Sequence, residues 1–183
     1  MPRIPLIEKK QDVAAEYHTV FDRIPESRGQ VRGPFGVFMH SPVVADRSAH
    51  LGAYLRFESK LAPAERELVV LTVARTMDCR YEWAAHAPMA RKAGVREEAI
   101  AILRDGKAPA GLTHAEAEIV AYVRQVLVNH RVEDGTFTAL RERLGVASLV
   151  ELTAMTGYYA MLACSLNAFD VTPPAGSDLL PDR

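Results

Sequence analysis

Residues 63–86, PAERELVVLTVARTMDCRYEWAAH, decide the fold class. Ala62-Pro63 puts a proline at a first helical position, where its missing N–H is not needed. Glu65 and Glu67 follow in the early turns, where a carboxylate favours the positive end of the helix dipole. The body, residues 68–74, is apolar on nearly every side and taken alone fits a buried strand as well as a buried helix. The proline-led acidic entry and the length before Met77 favour the helix. Asp78 is expected to cap the next helix, which ends near Ala93-Gly94 with glycine just past the last turn.

Outward from this pair the chain continues as helices. Between residues 11 and 23, Val13, Ala14, Tyr17, Val20 and Phe21 recur on one helical face. Residues 25–36 contain three glycines and two prolines and are expected to form a long loop of the kind that carries function. Ser41-Pro42 starts a helix running to about Lys60, with the serine as N-cap. Residues 96–104 form a short helix, and Thr113-His114-Ala115-Glu116 has the form of a capping box opening a helix that reaches His130. Two more helices cover residues 134–145 and 147–169, and Thr172-Pro173-Pro174 stops the last. No internal repeat or linker divides the chain, so a single all-α domain is expected over residues 1–183, with its core at about 11–170. It is a compact helical domain.

Composition excludes several partners. With 22 Lys+Arg against 23 Asp+Glu, the net charge of -1 supplies no basic surplus for nucleic acid. Two cysteines, Cys79 and Cys164, are too few for a disulfide framework. The first ten residues lack the apolar core of a signal peptide, so a reducing cytoplasm is expected. Residues 149–166 carry one charge, Glu151, but also Thr153, Thr156, Gly157, Tyr158, Tyr159 and Ser165. They read as a core or subunit-interface helix, not a membrane span.

Chemistry concentrates at Cys79, Glu82 and His86, spaced i, i+3 and i+7 on one helical face. Glu82 and His86, four apart, can hydrogen-bond, and a carboxylate beside an imidazole gives a proton donor and acceptor usable near neutral pH. The plainer alternative is a solvated pair with Cys79 as a small core residue. Trp83, the only tryptophan, is expected in the core, and Pro88 is expected to kink the helix beside His86. Three metal ligands at this spacing on one helix are an uncommon zinc arrangement, and His18, His50, His114 and His130 have no metal-motif spacing. No metal is expected.

Residues 61–67, 81–86 and 90–95 resemble the carboxymuconolactone decarboxylase and alkylhydroperoxidase D-like family. Its peroxidase branch carries Glu, eleven residues, Cys-x-x-Cys, three residues and His. Here the same spacing holds Glu67, Cys79, Glu82 and His86, so Glu82 stands where that branch has its attacking thiol. A lone Cys79 cannot form the disulfide that dithiol turnover needs. The resemblance therefore implies the decarboxylase-like branch: cofactor-free acid/base chemistry on a small cyclic acid or lactone. His86 would transfer the proton, Glu82 would orient it or act as its partner, and Glu67, from the preceding helix, would serve as a more distant or relay carboxylate. Arg28 and Arg32 in the 25–36 loop are candidates for substrate carboxylates, beside Arg23. His40 and Phe35, with Phe38 and Met39, would line the pocket, and Cys79 would border it or be purely structural. The resemblance also implies homo-oligomers, trimers or hexamers, acting in the breakdown of aromatic compounds. A thiol-dependent peroxidase and a non-catalytic ligand-binding protein are the alternatives.

Overall fold

The structure, a computed structural model, describes residues 1–106 and 110–181, with the side chains of Ser27 and Arg28 outside the description. The described residues form eight α-helices, with short 3-10 and π turns and no strand. The chain divides into two compact units, Met1–Ser59 with Cys164–Thr172, and Lys60–Ala163 with Pro173–Arg183.

In the first unit two 3-10 turns, Lys10–Asp12 and Ala15–Tyr17, precede α1 (His18–Arg28). The helix expected from residue 11 therefore begins later, because Val13 and Ala14 are extended (ψ 139° and 140°) and break the run. It also ends later: Pro25 lies inside α1, and Gly29, at φ 76°, closes the helix. Residues 34–38 are helical too, as α2 (Pro34–Phe38), buried throughout. The expected loop over residues 25–36 thus shrinks to about residues 29–33. Two of its residues mark helix boundaries instead, Pro34 at a first position and Gly29 past a last one. In α3 (Pro42–Ala53), Ser41 holds the N-cap position, but its side chain makes no capping bond; its carbonyl accepts the Ala45 N–H at 3.1 Å. A π turn, Tyr54–Glu58, completes this element.

The second unit is built around α4 (Pro63–Thr76), whose residues 68–75 are all buried. Neighbouring α5 (Arg80–Lys92), α6 (Glu97–Arg104) and α7 (His114–Arg124) all pack on α4. Each fully enclosed leucine or valine contributes roughly 1.5–3 kcal/mol. Thr72, wholly buried, satisfies its hydroxyl by donating to the Leu68 carbonyl at 2.7 Å, so the apolar surroundings cost it no bond. At the entry of α4 the Glu65 carboxylate accepts the Ala62 N–H at 3.1 Å. The N-cap of α5 is Cys79, not Asp78, which takes a left-handed conformation (φ 51°) in the turn. Trp83 is fully buried, and α5 continues past Pro88 to Lys92. The capping box of α7 forms as expected: Thr113 Oγ1 accepts the Glu116 N–H at 3.3 Å, and Glu116 accepts the Thr113 N–H at 2.8 Å. A π turn, Gln125–Asn129, follows, and His130 is left-handed (φ 59°).

The final helical stretch, α8 (Asp134–Ala168), passes from the second unit into the first. Glycine 145 breaks it into the two helices expected, with φ 76° and ψ 162°. Alone among the described helices, α8 is long and apolar enough to cross a membrane, and 56% of its most apolar window is buried inside the protein, as in a core helix. Its one charge in residues 149–166 is used: Glu151 accepts the Lys60 N–H at 2.7 Å.

Glycine 145 occupies backbone space that side-chain-bearing residues avoid, and a Cβ there would meet no atom within 4 Å. Gly145→Ala should therefore cost only backbone strain, about 1–3 kcal/mol. Urea unfolding should show a lower midpoint at unchanged slope.

Candidate active site

Two consecutive helices supply the cluster. Glu67 comes from the second turn of α4, Glu82 and His86 from α5. The His86 Nδ1 lies 2.8 Å from Glu67 Oε2, and its Nε2 lies 3.5 Å from Glu82 Oε2. Glu82 and His86 are 4% and 7% exposed, so this is no solvated surface pair. A carboxylate only accepts hydrogen bonds, so Nδ1 carries the proton facing Glu67. Nε2 faces Glu82 on the other side of the ring.

The order of the two carboxylates is the reverse of the expectation. Glu67, expected as a distant relay, makes the short bond that orients the ring, and Glu82 sits at the longer distance. Within one helix, residues four apart share a face, whereas a side chain from the packed neighbour can meet the ring edge-on. Tyr159 of α8 completes the surroundings, its ring edge-to-face with His86 at 5.2 Å, and Tyr158 stacks similarly on Tyr159 at 5.4 Å. Sequence reasoning did not single out Tyr159, because no spacing within one helix links it to His86.

Cys79 starts α5 instead of sharing its face, and it is fully buried. Burial above all pushes its thiol up to about 12, the Glu82 carboxylate adds to this, and the backbone N–H groups of Glu82 and Tyr81 oppose it. It therefore stays protonated at neutral pH. Cys164 is exposed in the other unit, and neither cysteine is in a disulfide.

The other expected residues belong to the first unit. His40 is exposed, and its Nε2 lies 2.8 Å from the Pro5 carbonyl, which ties the N-terminal segment down. Phe35, expected in a pocket wall, is instead core: it is 3% exposed and edge-to-face with Phe38 at 5.8 Å. Arg32 is exposed, with its Nη1 and Nε at 2.8 and 3.1 Å from the Gln30 side-chain oxygen once that amide is turned to suit them. Arg23 pairs with Asp46 at 2.8 Å. The Arg28 side chain lies outside the described residues. The structure thus gathers Glu67, Glu82 and His86 in the second unit and places Arg32, His40 and Phe35 in the first. Among the described residues no group of three His, Cys, Asp or Glu is arranged to hold a metal ion.

An all-α chain with an imidazole held between carboxylates from two consecutive helices defines the class. Residues 42–125, which contain the whole cluster, match the model of the carboxymuconolactone decarboxylase family. The fold is that of an alkylhydroperoxidase AhpD core, described as an uncharacterized peroxidase-related protein, from Ralstonia eutropha JMP134. That similarity has a TM-score of 0.76 at 18% identity, over 95% of this chain and 93% of the other. An uncharacterized peroxidase-related protein from Silicibacter sp. TM1040 is similar at TM-score 0.74 and 19% identity, over 95% and 94%. No curated protein matches the chain.

Thiol titration with Ellman's reagent should count one cysteine, Cys164, in the folded protein at pH 8 and two in denaturant. The Cys79 thiol ionises near its ordinary 9.0 when unfolded and near 12 when folded. Stability linked to it is therefore whole below about pH 9 and falls as the pH rises toward 12. Cys79→Ala should flatten that alkaline loss.

Proposed function

We propose that this protein is a decarboxylase-like lyase acting on a small cyclic acid or lactone, with His86 as its general acid. The observation that carries this reading is the buried imidazole with Glu67 at Nδ1 (2.8 Å) and Glu82 at Nε2 (3.5 Å). In such a reaction the carbon–carbon bond to the carboxylate breaks and carbon dioxide leaves. The electron pair stays on the substrate, spread into a conjugated carbonyl as an enolate. The Nε2–H of the His86 imidazolium then delivers its proton to that carbon, and solvent restores it. Glu67 holds the ring and balances its positive charge, the role a buried carboxylate plays beside a proton-transferring histidine. Glu82, beside the reacting nitrogen, accepts or returns the proton between turnovers.

The similarity to peroxidase-related proteins favours a second reading, thiol-dependent peroxide reduction. It needs a reactive thiolate, and Cys79 is alone, buried and protonated. Carbon dioxide release from a panel of lactones and β-keto-type acids tests the two together. On any substrate found, His86→Gln should lower kcat by about 10²-fold or more, and Cys79→Ala should leave it unchanged. Loss of all turnover in a folded Cys79→Ala protein would transfer the site to thiol chemistry.

We also propose that the chain self-associates. Val146, Val150 and Met161 of α8 are 65%, 62% and 39% exposed and fall on one side of the helix, which supports an apolar contact between copies. Sedimentation should give a multiple of 20.2 kDa, three or six; a single-chain mass refutes it.

A further inference from the structure

At the far end of α4 from Glu67 lies a cleft of about 490 Å³, within the usual range for a small-molecule site. Arg75 and Thr76 from the end of α4, Arg124 from the end of α7, and Gln125, Val128 and Asn129 from the π turn line it, with Asp105 and Gly106. Eight residues separate Arg75 from Glu67, about 12 Å along the helix axis, so this cleft is separate from the His86 cluster.

Its charges do not cancel. Arg75 faces Asp78 at 3.7 Å and donates to the Pro181 carbonyl at 3.3 Å. Asp105 is paired with Arg104 at 2.9 Å. Arg124 is half-buried, and among the described residues no carboxylate pairs with it. Burial, and then the charge of Arg75, hold its guanidinium below the ordinary value. Among the described residues, therefore, one positive charge in the cleft is left uncompensated. Two backbone features open the space around it. The π turn Gln125–Asn129 widens the helix just after Arg124, a distortion that recurs at functional sites. Gly106, left-handed at φ +63°, lets the Arg75 guanidinium lie against the main chain, where a Cβ would meet Nη2 at 3.3 Å.

We propose that this cleft binds a small, singly charged organic acid, whose carboxylate pairs with the Arg124 guanidinium. One surplus charge matches one carboxylate, a guanidinium fork suits its two oxygens, and the volume leaves room for an organic body beside Val128.

Calorimetric titration of the full-length protein with benzoate, and separately with inorganic phosphate, tests this. Benzoate should bind the wild-type protein at millimolar concentration or below, and Arg124→Gln should weaken it at least 10-fold with a melting temperature no lower than wild type. Val128→Trp, at a position 61% exposed, fills the cleft without touching the core and should block benzoate equally. His86→Ala should bind benzoate as the wild type does. No benzoate binding to the wild type overturns the site. Binding lost in His86→Ala but kept in Arg124→Gln and Val128→Trp assigns the acid to the other cluster and overturns the cleft. Phosphate binding tighter than benzoate through Arg124 overturns the carboxylate assignment.

Discussion

A helix that is apolar on every side has to be enclosed on every side. That requirement on α4 organises the second unit. Residues 68–75 reach burial only because α5, α6 and α7 surround them, and α5 follows after a turn of three residues, too short to place it anywhere but alongside. Among the polar groups drawn in with α4, Thr72 is satisfied by its own helix, whereas Arg75 reaches out to Asp78 and to the distant Pro181 carbonyl. The two ends of the buried stretch are then the places where charge can sit. Glu67 stands at one end and Arg75 at the other.

The cluster at the first end is an electrostatic bargain. Carboxylates drawn out of water, Glu82 fully and Glu67 in large part, are costly without polar partners, and the His86 ring lies between them. The same carboxylate that flanks Nε2 raises the cost of ionising Cys79. Burial does most to keep that thiol protonated, and the Glu82 charge adds to it.

Much of the fold was legible because helix boundaries have local causes. Pro63 at a first position, the Thr113–Glu116 box and the break at Gly145 each act within a few residues, and all three hold in the structure. The 25–36 segment misled for a related reason. Gly29 and Pro34 are boundary residues, and a sequence does not say whether two boundaries enclose a loop or merely separate two short helices. At the site, Glu82 and His86 were visible because four residues make one helical turn. The shorter Glu67 bond joins residues nineteen apart on different helices, and only packing sets that distance. Tyr159 and the meeting of Arg75 and Arg124 in one cleft were out of reach for the same reason. Glu67 itself came into view through the family resemblance and not through periodicity.

The contrast between the two cysteines reaches beyond the site. The exposed sulfur of Cys164 is open to oxidants and to glutathione, whereas Cys79 is sealed away from both. The Glu67–His86–Glu82 set contains no sulfur at all. It offers thiol–disulfide exchange no atom to react with.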